Sequence, residues 1–303
     1  KSNAGLLNNY LTAATAHFSV DPNLSGHLFA TLAIIFCEYL ELGENNQIIQ
    51  TVLKQLNGMD NYQYILAAFI ALEEITNEID LSQSPDIYQP TLMLIFTLFG
   101  KPEVPLPIKV KSLNILNNLI VIIDEVFQSE QNRNTILAVI RFSINMSETK
   151  ISGYHCLSKI LKHYFVIFVG ISQEVLPICI QDLTTHKDDS DIVIAICKII
   201  KNLCKYSPNS EEEQRVQHDI LSKCFLPFLQ SLIPISIDHE DQLNEVDEYN
   251  SQIEAIDTIS TIIKSLPTEA CPVACQIGQE HIQSENPCLR ELSLTLFRNV
   301  IEA

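Results

Sequence analysis

Apolar side chains recur every three or four residues along most of the chain, which is the spacing that places them on one face of an α-helix. In residues 61–79 the repeat is carried by Ile65, Phe69, Leu72 and Ile75. Similar patterns cover the longer segments 108–127, 149–169, 191–206, 252–266 and 287–301. Shorter helical segments are predicted at 45–56, 87–99, 135–145, 173–183, 215–235 and 274–283. No segment shows a convincing strand pattern, so the sequence predicts an all-α fold.

The longer helices follow one another at a roughly regular interval. They begin near positions 61, 108, 149, 189, 250 and 287, so the intervals are about 47, 41, 40, 61 and 37 residues. A period of about 40 to 47 residues per pair of helices is typical of HEAT and armadillo repeats. Because one pair cannot bury both of its faces, such pairs stack into an α-solenoid superhelix. The sequence therefore predicts a single solenoid of about seven or eight HEAT repeats over residues 1–303, with one inter-helix insertion near 238–249.

The charge of the chain narrows the range of partners. Asp and Glu number 37 and Lys and Arg 19, for a formal net charge of −18. Nucleic acids and anionic lipid surfaces are bound by clustered Lys and Arg, so no direct contact with nucleic acid or membrane is expected. The excess of carboxylates favours a basic partner, or serves solubility alone. Apolar runs such as 115–123 are too short or too interrupted to span a bilayer.

The residue types that carry catalysis are not assembled into a known motif. The sequence contains no G-x-G-x-x-G, P-loop, H-E-x-x-H or G-x-S-x-G pattern. His155 and His163 lie two turns apart on one predicted helix, without a third catalytic group. Cys271, Cys275 and His281 fall short of the four ligands of a zinc site. We therefore expect no enzyme activity, no cofactor and no metal site.

Several segments, in order along the chain, carry a more specific signal. The Ala-Gly-Leu at residues 4–6 opens a helix, and 211–235 is a long helix that precedes the acidic insertion. Asp-Glu-Tyr-Asn follows at 247–250, and Leu-Phe-Arg-Asn-Val-Ile-Glu-Ala ends the chain at 296–303. In this arrangement the sequence resembles the importin-β (karyopherin-β) family of nuclear transport receptors, over what corresponds to their N-terminal third. It departs from the family at Tyr249, where Trp is typical, and in the shortness of the acidic loop.

The resemblance implies a binding function rather than catalysis. A receptor of this family binds Ran-GTP, the Phe-Gly repeats of nucleoporins, and basic cargo or an importin-α adaptor. It is found in the cytoplasm, in the nucleus and at the nuclear pore and envelope. By the same resemblance, the concave face built by the second helix of each pair would meet Ran-GTP. The alternative is a HEAT-repeat scaffold subunit of a multiprotein complex, such as a phosphatase scaffold, although scaffolds of that kind have more uniform repeats than these.

Two surfaces are candidate sites, each with a simpler interpretation. The first is an acidic loop without Lys or Arg, which would contact Ran or a basic cargo, or would only be solvated. It comprises Asp238, Glu240, Asp241, Glu245, Asp247 and Glu248, followed by Tyr249. The second is a groove between first helices of adjacent repeats, which would hold a Phe-Gly side chain or would be ordinary core. Its residues, spaced i, i+4 on two helices, are Leu92, Phe96, Ile136 and Ile140.

Overall fold

The computed structural model describes residues 9–10, 12–14, 16–17, 20–39, 61–82, 84–237 and 250–303, and every regular element in these ranges is helical. The first helices are α1 (Pro22–Tyr39), α2 (Tyr62–Glu78), α3 (Pro85–Phe99), α4 (Leu106–Leu119), α5 (Asp124–Gln128), α6 (Glu130–Ile144) and α7 (Lys150–His163). They are followed by α8 (Phe165–Thr185), α9 (Ser190–Lys205), α10 (Glu211–Ile237), α11 (Ser251–Ser265), α12 (Pro267–His281) and α13 (Pro287–Glu302). The fold is all-α, which confirms the prediction.

The chain divides into two compact units, Lys1–Cys156 and Leu157–Ala303. In the first, α1, α2 and α4 pack side by side in chain order. Small residues on α2 permit the close approach of α1, because Gly26 faces the backbone oxygen of Ala67 and the side chain of Ile70. Ala67 and its neighbour Ala68 are fully buried at this contact. The helix α3 packs on α4 and α6, so these first helices form a second layer.

The second unit repeats the arrangement with longer helices. The second helices α9, α11 and α13 pack against one another in chain order, and α8, α10 and α12 pack against their partners. Isoleucine side chains dominate the interior of α9, where Ile192, Ile196, Ile199 and Ile200 are buried. Burial of these branched side chains outweighs the modest helix propensity of isoleucine. The paired helices and their order give the HEAT-type solenoid that the sequence predicts.

Two predicted helices have different boundaries in the structure. The segment 108–127 is divided, because α4 ends at Leu119 and a 3₁₀ turn separates it from α5. The segment 149–169 is broken at Tyr164, where φ is −137° and ψ is 56°, and α8 begins at the next residue. Phe165 then stacks on Tyr206 with the ring centroids 4.0 Å apart. The predicted helix 45–56 lies outside the described residues.

Two helices, α8 and α10, are longer and more apolar than expected from the sequence. By length and composition alone, α8 and α10 are apolar enough to cross a bilayer, whereas the apolar runs were expected to be too short or too interrupted for this. Both have the neighbours of core helices, since α8 packs on α9 and α10, and α10 packs on α11. Phe168 of α8 and Leu232 of α10 are fully buried. Helices in the core of soluble proteins meet the same criterion, so two such helices are weak evidence for a membrane protein.

Candidate functional site

The second helices of the first unit border a polar cleft of about 390 Å³. It lies where α1, α2 and α4 meet, on the helices that the repeat pattern assigns to one face of the solenoid. Its lining combines two carboxylates, four side-chain amides and two basic groups. The lining residues are His27, Ile70, Glu73, Glu74, Asn77, Lys111, Asn114, Asn117 and Asn118.

Both carboxylates of the cleft have partners on the neighbouring helices. Glu73 pairs with Lys111, whose Nζ lies 2.5 Å from Oε2, and its Oε1 accepts a hydrogen bond of 2.7 Å from the Asn114 amide. Glu74 pairs with His27 through the ring Nδ1. Since Glu73 is paired with a cationic lysine and Glu74 is bonded to the His27 ring, the cleft offers a ligand polar contacts and shape.

Hydrogen bonds between side chains join consecutive second helices beyond this cleft. The Asn114 oxygen accepts a hydrogen bond of 2.9 Å from the Ser152 hydroxyl, which links α4 to α7. In the second unit, the Asn299 amide of α13 donates to the hydroxyl oxygen of Ser260 on α11, at 2.6 Å. Because partly buried polar groups need partners, these bonds favour one register between neighbouring helices. The apolar pattern did not predict these polar contacts between helices. In the sequence they are indicated only by an asparagine next to the apolar stripe of a helix.

A charged cluster joins α9 to α11 in the second unit. Lys201 Nζ lies 2.6 Å from Glu254 Oε1 and 3.0 Å from Asp257 Oδ2. Burial alone would lower the pKa of Lys201, but the hydrogen bonds and the negative charges of the two carboxylates together outweigh it and raise the pKa. Glu254 is buried and Asp257 exposed, so the cluster runs from the interior to the surface.

The predicted groove residues differ in their exposure. Leu92, Ile136 and Ile140 have at most 2% of their surface exposed, so they belong to the core as packed here. Phe96 is half-buried and is the one member that a peptide can contact without rearrangement of the helices. The groove therefore stays a prediction, and within the predicted set it depends on Phe96.

A more exposed aromatic cluster lies between the same first helices. Phe142 near the end of α6 is 47% exposed and packs edge-on against Phe99 of α3, with ring centroids 5.6 Å apart. Lys109 Nζ lies 6.0 Å from the centroid of the Phe99 ring and 5.7 Å from that of Phe142. Sequence reasoning missed this cluster, because Phe142 lies outside the i, i+4 pair that indicated the groove.

The predicted acidic loop lies outside the described residues. This holds for Asp238, Glu240, Asp241, Glu245, Asp247, Glu248 and Tyr249. The structure describes the helices on either side, with α10 ending at Ile237 and Asn250 capping α11. The Asn250 side chain accepts hydrogen bonds from the backbone of Gln252 and Ile253, which anchors the start of α11.

The side chains considered for metal binding, which are Cys271, Cys275 and His281, all lie on α12. Over the described ranges, no group of three or more His, Cys, Asp or Glu residues is arranged to hold a metal ion. Cys271 and Cys275 are free thiols on α12.

Comparison with solved structures identifies the fold. The chain superposes on yeast importin-β (Kap95p) with a TM-score of 0.77, 16% sequence identity, and coverage of 99% of this chain and 35% of the other. A complex of Kap95 with Nup1 gives a TM-score of 0.75 at 16% identity, covering 96% of this chain and 35% of that one. A structure of Kap95p bound to RanGDP gives 0.69 at 16% identity, with 99% and 34% covered.

This similarity shows the fold, which is the HEAT solenoid found in importin-β. The chain spans about one third of the length of these neighbours. No family model matches the chain, and no curated protein matches it in sequence.

Proposed function

We propose that this chain is part of a nuclear transport receptor of the importin-β type, which binds partners and performs no chemistry. The observation that carries the proposal is the similarity to yeast importin-β over 99% of the chain. The sequence resemblance supports the same function independently, because its segments follow one another in the family's order.

We propose Ran-GTP as one partner and basic cargo or an importin-α adaptor as another. The neighbouring structures include Kap95p with RanGDP, which supports a Ran contact by analogy of fold. A net charge of −18 attracts basic surfaces over long range and speeds their encounter. We assign the acidic loop 238–248 to this contact, because its carboxylates are accompanied by no Lys or Arg.

Nucleoporin Phe-Gly repeats are the third proposed partner. A neighbour is a complex of Kap95 with Nup1, which supports the analogy. In this chain the half-buried ring of Phe96 would contact the incoming phenylalanine, since an isolated aromatic anchor gains most from an apolar surface between two helices. Binding to nucleoporins and Ran would place the protein in the cytoplasm, the nucleus and the nuclear pore.

One observation favours the scaffold alternative. Glu73 of the second-helix cleft is paired with Lys111 within the protein, so that face has fewer uncompensated carboxylates than a surface for a basic partner would use. A HEAT scaffold would hold its partners through shape on such a face and would be indifferent to the nucleotide state of Ran.

A pull-down with Ran decides between the two functions. The chain is immobilised and incubated with a GTP-locked Ran variant or with Ran loaded with GDP, at equal concentrations. A transport receptor retains the GTP form in clear excess. Equal retention of both forms, or retention of neither while the chain remains helical by circular dichroism, contradicts the transport proposal and leaves the scaffold.

A further inference from the structure

We propose that the end of the seam between α3 and α6 binds a peptide carboxylate next to an aromatic side chain, with Lys109 as the cationic partner of the carboxylate. This site accepts an acidic group, whereas the proposed Ran and cargo contacts involve basic surfaces. It does not depend on the transport function. Its residues are Lys109, Phe142 and Phe99.

The first observation is the environment of Lys109. Only 7% of its surface is exposed, and over the described ranges no carboxylate oxygen lies within ion-pair distance of its ammonium group. The nearby Lys111, by contrast, is paired with Glu73. A largely buried lysine commonly gains an anionic partner, because burial penalises an uncompensated charge. The neighbours that the structure gives its ammonium are the rings of Phe99 and Phe142.

The second observation is the position of Lys109 in the first turn of α4. This 14-residue helix has no acidic residue in its first turn and no side-chain cap at Pro105. A helix N-terminus carries partial positive charge, so a lysine there adds to the charge instead of balancing it. The backbone N–H groups of Ile108 and Lys109 already donate to Pro105 O. The start of the helix would therefore attract an anion through its electrostatic field more than through free N–H donors.

The charge of the site selects among anionic ligands. One lysine and one helix terminus match a single negative charge better than the double charge of a phosphate. A dianion would also be repelled more strongly by a chain with net charge −18. We therefore assign a carboxylate of an Asp or Glu side chain.

The exposed ring of Phe142 identifies the carboxylate as part of a peptide. This ring is 47% exposed, and its centroid lies 5.7 Å from the Lys109 ammonium group. An aromatic side chain adjacent to the acidic residue would cover this apolar surface and shield the new ion pair from water. A free inorganic anion would gain nothing from the two rings.

Fluorescence anisotropy with two labelled peptides tests this site. The peptides are Gly-Ser-Phe-Asp-Ser-Gly and Gly-Ser-Phe-Asn-Ser-Gly, which differ in one charge. Wild type is expected to bind the Asp peptide about tenfold more tightly, as a charge-assisted hydrogen bond provides. Lys109→Gln should remove this preference, and Lys109→Arg should keep most of it.

Lys223→Gln is the matched control, because it removes the same charge from an exposed side chain of the second unit. It should leave the preference unchanged. Phe142→Ala should weaken the binding of both peptides and leave the ratio of their two affinities unchanged. Equal binding of the two peptides by wild type, or a preference that persists in Lys109→Gln, overturns the proposal; the lysine then only packs its stem on the rings. Neither result bears on Ran binding.

Discussion

Lys201 of α9 and Glu254 of α11 form a largely buried ion pair, with Nζ 2.6 Å from Oε1 and side chains that are 16% and 3% exposed. The other carboxylate oxygen of Glu254 is buried without a hydrogen-bond partner in the structure. Glu254 therefore depends on one lysine for its compensation. The pair joins two consecutive second helices of the second unit, so its loss should be felt in the packing between them.

Lys201→Met should lower the free energy of unfolding by about 3–5 kcal/mol, because it leaves the Glu254 carboxylate buried and unpaired. Urea unfolding followed by circular dichroism measures the change. Lys264→Met is the control, since the Lys264–Glu302 pair is about half exposed and its loss should cost much less stability. Equal losses of unfolding free energy in the two variants would show that burial does not make the Lys201 pair more important for stability.

Two buried thiols predict a loss of stability at alkaline pH. Burial raises the pKa of Cys197 and of Cys224 to about 12, against about 8.5 in an unfolded chain. Above pH ~9 the unfolded chain releases these protons while the folded chain keeps them, so stability falls as pH rises, by up to about 1.4 kcal/mol per pH unit for each thiol. The stability that the two thiols contribute is fully present below their pKa in the unfolded chain.

Cys224→Ala tests this dependence. Between pH 9 and 11, the free energy of unfolding should fall less steeply with pH in the variant, because one fewer proton is released on unfolding. Below pH ~8, the free energies of the variant and of wild type should change with pH in the same way. An unchanged slope above pH 9 would mean that the Cys224 thiol ionises as readily in the folded protein as in the unfolded chain.

Two glycines within helices should respond to alanine in opposite directions. A Cβ at Gly26 would lie 2.7 Å from Ala67 O and 2.9 Å from Ile70 Cβ, so α1 and α2 would have to separate. At Gly170 of α8 nothing lies within 4 Å of the added carbon. Gly26→Ala should cost about 1–3 kcal/mol, and Gly170→Ala should gain about 0.5–1 kcal/mol from helix propensity. Thermal or urea unfolding of both variants measures this, and a gain for Gly26→Ala would contradict the close packing.

The fold could be predicted from the sequence because helix period is a local property. The stripe of Ile65, Phe69, Leu72 and Ile75 lies on α2, as expected from its spacing. The break at Tyr164 could not be predicted, since no glycine or proline marks it. It coincides with the stacking of Phe165 on Tyr206, a contact between residues 41 positions apart in the sequence that pattern reasoning cannot see.

The site was less predictable for a related reason. Core and ligand groove both require apolar residues at i, i+4, so spacing could not separate Ile136 and Ile140, which are fully buried, from a half-buried Phe96. Lys109 gave no signal, because its burial results from the packing of α3, α4 and α6. Exposure depends on how helices meet, and a single-helix pattern contains no such information.

Charge reversal in the acidic loop should weaken the contact with Ran or basic cargo. The variant replaces Glu240, Asp241, Asp247 and Glu248 with Lys. Because attraction at long range depends on charge, association should slow and become less sensitive to salt, while helicity stays nearly constant. Binding kinetics at low and moderate salt measure the effect.

A control variant carries the same total change elsewhere. It replaces exposed carboxylates at the positions Glu125, Asp188, Glu285 and Glu291 with Lys. If both variants slow association equally, net charge explains the effect and the loop has no specific role. If the loop variant binds like wild type, the loop takes no part in the contact.

Phe96→Asp should reduce the binding of a Phe-Gly repeat peptide at least severalfold while the protein stays folded. The half-buried ring can be replaced by a carboxylate that reaches water, but the apolar contact with the peptide is lost. Ile140→Asp is the contrasting variant, because a carboxylate at a fully buried position should unfold the first unit. Peptide titration gives the affinity and circular dichroism the helicity. If Phe96→Asp unfolds the protein as Ile140→Asp does, Phe96 belongs to the core and the groove between α3 and α6 is closed to ligands.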